Sequence, residues 1–387
     1  MKTIDDFNFF NKTVLVRSDL NSEVVNGKVS YSQRIKAAAE TIQELRKKGA
    51  RVVVLAHQGR AGEKDYTSLA QHAQYLHKKT AIKFVNDTVG KKAQQAIQQL
   101  KNGEALLLEN VRYEKDEFHV EKGKKNILLK NLLPLLDFFV NDAFSVSHRA
   151  QVSVVLFAHY LPSCMGRLFE KEFAAIRKIH VKKSLLILGG VKPEEHLQLL
   201  HGHTILSGGL FCHLCLIAHG RKLGAQEKYL RHKIKNYNLI IHTLKKKSEH
   251  IKTPVDFAII KNGKRHEINL EELPSSERLF DIGHSSIEHY KSAIRNASSI
   301  FFKGPTGLYT DPRFVNGTRE LLRAIAACRA FSVIAGGHSN EAINKCGVNR
   351  KKFNYVSLSG GALIDYLAGE KLPGLIALEK NKVKEKK

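Results

Sequence analysis

No run of about 18 uninterrupted apolar residues occurs in this 387-residue chain, so no membrane-spanning helix is expected. The most apolar stretch, residues 127–140, is broken by Lys130, Asn131, Pro134 and Asp137. No secretory leader is expected either. Lys2 is followed by Thr3-Ile4-Asp5-Asp6, acids where an apolar core would stand, and a cytoplasmic protein is expected. Cysteine is scarce: Cys164, Cys212, Cys215, Cys328 and Cys346 are an odd set without regular spacing, which argues against a disulfide framework. Cys212 and Cys215 have C-x-x-C spacing, but no second pair or H-x-x-x-H completes a zinc set. Their apolar surroundings read as thiols packed on one helix face. No G-x-x-x-x-G-K-[ST] segment is present, so a P-loop is excluded by motif. Acid is short too, with 37 Asp and Glu against 63 Lys and Arg, a formal charge of +26. Such a surface attracts anions in general. The lysines are spread, and only residues 245–247 and the tail 380–387 form runs, which fits a solvated basic face open to weak electrostatic contact.

What is present is an alternation of short β-branched runs and amphipathic stretches. The length suits two α/β domains of roughly 150–200 residues, and 43% apolar content can fill both cores. Residues 13–17 and 51–56 read as strands. Between them, residues 34–48 read as a helix, with Ile35, Ala38, Ala39, Ile42 and Leu45 at helical spacing and Gly49 as a stop. Further strands are expected at 105–109, 138–141, 185–188, 204–206, 239–242, 255–260, 279–282, 300–302, 332–335 and 355–358. The order implies parallel sheets built from βαβ units.

The residues after these strands differ between the two halves. Early strands lead into Asp19 and Asn21, His57 and Arg60, Asn110 and Arg112, and Asn141 and Asp142. Later strands lead into Gly189-Gly190, Gly208-Gly209, Gly283, Gly304, Gly336-Gly337 and Gly360-Gly361. Ligands in open α/β sheets bind beyond the carboxyl ends of the strands. Arginine and histidine side chains suit a small phosphorylated anion. Bare amides and helix N-termini suit a nucleotide's phosphates.

At these residues the chain resembles the phosphoglycerate kinase family, in order from about residue 13 to residue 379. Arg17-Ser18-Asp19-Leu20-Asn21 is similar to the family's R-x-D-x-N, Arg34-Ile35 to its R-I, and His57-Gln58-Gly59-Arg60 to its H-x-G-R. Leu107-Leu108-Glu109-Asn110-Val111-Arg112 resembles L-L-E-N-x-R, and Asn141-Asp142-Ala143-Phe144 with His148-Arg149-Ala150 resembles N-D-A-F-x-x-x-H-R-A. Leu188-Gly189-Gly190-Val191-Lys192 resembles L-G-G-A-K, and Gly304-Pro305-Thr306-Gly307 is a further match.

The resemblance implies two doubly wound, Rossmann-like parallel-sheet domains that face a cleft. An acid-phosphate domain would span residues 1–162, a connecting helix 163–181 and a nucleotide domain 182–350, with residues 351–387 returning to the first domain. It implies an acid-phosphate site of Asp19, Asn21, Arg34, His57, Arg60, Arg112 and Arg149. The nucleotide site would comprise Gly189, Gly190, Lys192, Gly208, Gly209, Gly304, Gly307, Thr310, Gly336, Gly337 and His338. Arg34 and Lys192 would clamp the transferring phosphoryl group, with Mg²⁺ carried by the nucleotide and no metal site of the protein's own. The substrates implied are 3-phosphoglycerate, 1,3-bisphosphoglycerate, ADP and ATP. Departures gather in the second half: His196 stands where the family has a second lysine, Lys303 for an asparagine, Thr310 for an acid with Asp311 one place late, and His338 for another acid. They leave the nucleotide base open. The alternative is a protein that kept the fold and binds a polyanion such as RNA on its basic surface.

Overall fold

The computed structural model describes residues 1–179, 184–200, 204–247 and 250–381. The basic tail from residue 382 onward and residues 180 and 181 of the expected connecting helix lie outside them. The chain divides into two compact units, Met1–Ala174 joined by residues from Lys371 onward, and Ala175–Glu370. No described helix is long and apolar enough to cross a membrane.

The first unit is built on a six-stranded parallel sheet. Its order is Ile82–Val85, Ala105–Leu108, Arg51–Leu55, Thr13–Ser18, Phe138–Asp142 and Ser163–Met165. Thr13–Ser18 is central and buried throughout, as the apolar run Val14-Leu15-Val16 at its heart permits. Helix Gln33–Lys47 buries Ile35, Ala38, Ala39, Ile42 and Leu45, the face expected from spacing, and the Ser32 hydroxyl caps it by accepting the Ile35 amide at 3.3 Å. The edge strands Ile82–Val85 and Ser163–Met165 are too short to show a period.

The second unit carries another six-stranded parallel sheet, in the order Ile251–Lys252, Thr204–Ser207, Ser184–Leu188, Ser299–Lys303, Phe331–Ala335 and Tyr355–Val356. A separate antiparallel sheet pairs Asp256–Lys261 with Lys264–Asn269 and Asp281–Ile282. The expected strands at 255–260 and 279–282 thus fall in an antiparallel sheet, turned by Asn262 and Gly263, both at positive φ. An Asn-Gly pair is the sequence signal for such a hairpin. One expected strand is corrected outright. Residues 239–242 lie in helix Tyr237–Lys247, where Tyr237, Ile240 and Leu244 are buried at helical spacing while Leu239 is 63% exposed. The cysteines are free, and Cys212 and Cys215 are buried in helix Gly209–Ala218, where burial pushes both thiols up.

Candidate functional site

In the first unit, register places Arg17 level with Leu55 and Asn141, so the carboxyl ends of three central strands finish together. Arg17 is fully buried. It donates from Nε to Ser153 Oγ at 2.8 Å, from Nη1 to the Ser18 carbonyl at 2.6 Å and from Nη2 to His57 Nδ1 at 3.1 Å. A guanidinium has no acceptor, so His57 Nδ1 must accept and its proton sits on Nε2. Burial, and then the charges of Arg17, Arg112, Arg34 and Arg149, hold the His57 pKa well below the usual imidazole range. Glu117, also fully buried, accepts from the Ser153 amide at 2.9 Å and hydroxyl at 2.6 Å and stands as a counter-charge to Arg17.

Asp19 receives the Arg34 guanidinium at 3.1 Å and the Ser145 hydroxyl at 2.6 Å. Arg34, in the first turn of its helix, also donates to the Asn21 carbonyl at 2.8 Å. The Asn21 side chain accepts the Gly59 amide at 2.8 Å. Gly59 has φ +67°, and a Cβ there would meet the Asp65 carbonyl oxygen at 2.3 Å. Beside this network lies a pocket of about 420 Å³ whose wall includes Arg60, Arg112, Arg149 and Gln151 and no carboxylate. Arg112 donates to the Gly59 carbonyl, its Nε is buried without an acceptor, and Gln151 Oε1 is buried without a donor. Burial, then the charges of Arg17 and Arg149, bring Arg112 down to about 10. Burial and then Arg60 lower Arg149. Crowded cations in a wall that holds no carboxylate are a surface that attracts anions.

Asp142, at the end of its strand, has another task. Its Oδ1 accepts the Leu168 amide at 2.8 Å and the Phe169 amide at 3.3 Å, capping helix Arg167–Ile176.

In the second unit, Ser207, Leu188, Lys303 and Ala335 share one register, so the glycine turns after them form one rim. The amides of Gly189, Gly190, Gly208 and Gly209 donate to Lys303, Pro305, Leu188 and Thr306 carbonyls at 2.8–2.9 Å. These four amides are therefore not bare. Their glycines allow backbone to meet backbone: a Cβ on Gly189 would lie 2.4 Å from the Pro305 oxygen. The open amides are at Gly337 and His338, which begin helix Gly337–Lys345 and have no intrahelical acceptor.

The rim encloses a pocket of about 290 Å³ that includes Gly190, Gly209, Gly307, Thr310 and His338 with Tyr229, Phe280 and Leu308. Lys192 stands outside that wall, and its Nζ is 3.8 Å from Glu195. The other Glu195 oxygen takes the ammonium of Lys303, which is 6% exposed. Burial, opposed by Glu195, lowers the Lys303 pKa.

The chain matches the phosphoglycerate kinase family model over residues 4–370. It belongs to the phosphoglycerate kinase family. It is 38% identical to the phosphoglycerate kinase of Methanopyrus kandleri, with 98% of this chain and 97% of that one covered. It is 37% identical to the enzyme of Pyrococcus abyssi, with 98% and 97% covered. The crystal structure of phosphoglycerate kinase from Pyrococcus horikoshii superposes with a TM-score of 0.88 at 36% identity, covering 98% of each chain. That of the Coxiella burnetii enzyme gives 0.81 at 30% identity, covering 98% of this chain and 100% of that one.

Within a phosphoglycerate kinase, the departures in the second unit have physical consequences. His196 is buried and donates from Nε2 to the Gly189 carbonyl at 2.8 Å. Burial and then Lys303 lower its pKa to about 4, so the position of the family's second lysine carries no charge at neutral pH. Lys303 supplies an ammonium at the same rim, from the neighbouring strand end. Asp311 accepts the Arg313 amide at 3.0 Å and pairs with its guanidinium at 2.7 Å, facing its own turn. Thr310 lines the pocket and Asp311 does not. His338 Nδ1 is 3.0 Å from the Tyr309 hydroxyl, which donates to Glu341 at 2.7 Å.

Arg17, Glu117, Ser153, Tyr229, Arg278 and Phe280 were not among the site residues expected from sequence. The available signal for Arg17 is its place at the head of the R-x-D-x-N match with Asp19 and Asn21. The second-half residues follow no motif.

Proposed function

We propose that the chain catalyses reversible phosphoryl transfer between 1,3-bisphosphoglycerate and a nucleoside diphosphate, ADP in the family's reaction. The products are 3-phosphoglycerate and the triphosphate, in the glycolytic and gluconeogenic reaction of the cytoplasm. The observation that carries this reading is the wall of Arg60, Arg112 and Arg149 at the strand ends of the first unit, three cations awaiting an anion. The phosphate of phosphoglycerate would lie among them, and His57 Nε2–H would donate to its oxygens. The second pocket would hold the nucleotide, with the base in its apolar part and phosphates at Gly337 and His338.

The terminal oxygen of the diphosphate attacks the acyl phosphorus in line, the P–O bond to the acid's carboxylate breaks, and no covalent enzyme intermediate is needed. Arg34 and Lys192 are assigned to the charge that spreads over the transferring group's oxygens. Among the described residues no cluster of histidines, cysteines and acids could hold a metal, and no carboxylate lines the second pocket. Mg²⁺, carried on the nucleotide's phosphates as the family resemblance implies, would neutralise part of their charge beside the protein's own cations.

Calorimetry with 3-phosphoglycerate tests the anion site. The unaltered protein should bind it, and Arg149→Ala should weaken binding about tenfold, as expected for one lost charge-assisted contact. Equal affinity in both would remove the pocket's assignment.

A further inference from the structure

The second-unit pocket presents two nitrogen donors, from Arg278 and His213, and no carboxylate to meet them. Arg278 lies with its guanidinium 3.5 Å from the centre of the Tyr229 ring and 5.2 Å from that of Phe280. Stacking occupies the face of a guanidinium and leaves its in-plane N–H groups for an edge contact. The Arg278 Nε is buried with no acceptor in the protein. His213, 4% exposed, shares the wall. Gln226 accepts the Leu279 amide at 3.3 Å through Oε1, so the Nε2 that lies 3.0 Å from His213 Nδ1 is a donor. His213 therefore carries its proton on Nε2, a second donor.

Acceptors are few. No Asp, Glu, Asn or Gln side chain lines the pocket. The carbonyls of Gly190, Phe280, Pro305, Thr306, Gly307 and Leu308 each already accept a backbone N–H.

We propose that this pocket takes a 6-oxopurine, guanine or hypoxanthine, in preference to adenine, and that Arg278 reads the base. The proposal rests on the reading of this pocket as the nucleotide site. Guanine and hypoxanthine present O6 and N7 side by side, two acceptors matched to the guanidinium fork. Adenine puts an amino donor beside N7, so donor faces donor, and one buried N–H stays unpaired. The remaining apolar wall, with Leu210, Pro305 and Leu308, offers any purine the same contact, so discrimination falls to Arg278.

The test is a titration of the whole protein with GDP, IDP and ADP, repeated on Arg278→Met and Arg278→Lys, with thermal unfolding to show that each variant folds. The unaltered protein should bind GDP and IDP about tenfold more tightly than ADP, the range of one bidentate base contact. Methionine keeps the stem and lysine keeps the charge, yet neither has the fork, so both variants should bring the three affinities to within a few-fold. IDP matching GDP shows that O6 and N7 are read rather than the 2-amino group. Tighter binding of ADP by the unaltered protein, or a GDP-to-ADP ratio unchanged in Arg278→Met, overturns the proposal. Failure of all three nucleotides to bind removes the nucleotide reading itself, and the base preference with it.

Discussion

At the residue scale, the sharpest chemical question in the second unit is what meets the ribose. The family resemblance implies an acid at the Thr310 position, and an ionised acceptor there contributes about 1.5–3 kcal/mol. Thr310 is neutral and short. Asp311 is the nearest acid in the chain, but Arg313 holds its carboxyl below the usual range through a side-chain hydrogen bond. Thr310→Glu should therefore tighten ADP several-fold in calorimetry and leave 3-phosphoglycerate affinity unchanged. Asp311→Ala should leave ADP affinity where it was. A marked loss in Asp311→Ala would show that Asp311 swings from Arg313 to the nucleotide. The altered residues of this unit also show a relocation of charge: His196 is neutral under Gly189 while Lys303 brings an ammonium to the same rim. Sequence showed each change but not that the two lie together, because register between strands far apart in the chain decides it.

At the scale of elements, the glycine turns do two different jobs. Gly304 has φ +87°, and a Cβ would lie 2.4 Å from the Gly189 oxygen and 2.8 Å from the Gly190 nitrogen. Gly337 has nothing within 4 Å of the same position. Gly304→Ala should cost at least about 1–3 kcal/mol in urea unfolding, the range for one strained backbone position. Gly337→Ala should stay within about 0.5 kcal/mol of the unaltered protein. Equal losses would contradict the close backbone packing between the two central turns. The sequence pattern made the strand ends legible, since β-branched runs and their following residues are local. It did not separate engaged amides from open ones, which depends on contacts between turns. The same limit explains residues 239–242: three apolar residues and a histidine fit a strand or a helix, and only the burial of Tyr237, Ile240 and Leu244 decides. The antiparallel sheet was legible in Asn262-Gly263 but competed with the parallel pattern around it.

For the whole molecule, buried histidines set the response to acid. Burial keeps His57 well below the usual range, His72, His148 and His196 at about 4, and His213 at about 3. They stay neutral in the fold, while the unfolded chain takes up protons near pH 6.5. The unfolded state thus binds more protons as pH falls from about 6.5 to about 4, and stability falls with it. Asp142 and Asp281, raised by burial to about 7, work the other way, because the fold holds protons that the unfolded carboxylates do not. Glu117, raised by burial as well, adds to the aspartates, and the five histidines still outweigh these three carboxyls, so unfolding takes up protons on balance near pH 5. The urea midpoint should be lower at pH 5 than at pH 7; a midpoint that held or rose would refute this balance. The +26 charge bears on the same scale, since its effect on polyanions should fade steeply with salt.

The most direct measurement is turnover: 3-phosphoglycerate with ATP, and separately with GTP, in an assay that consumes 1,3-bisphosphoglycerate as it forms. Phosphoryl transfer should proceed with one or both nucleotides. If both charges act mainly on the transferring group, as proposed, Arg34→Ala and Lys192→Ala should each lower kcat by about 10²-fold or more with smaller changes in KM. No transfer with either nucleotide by a protein that binds 3-phosphoglycerate would contradict the assignment as an active kinase, and an unchanged kcat in either variant would remove that residue from the clamp.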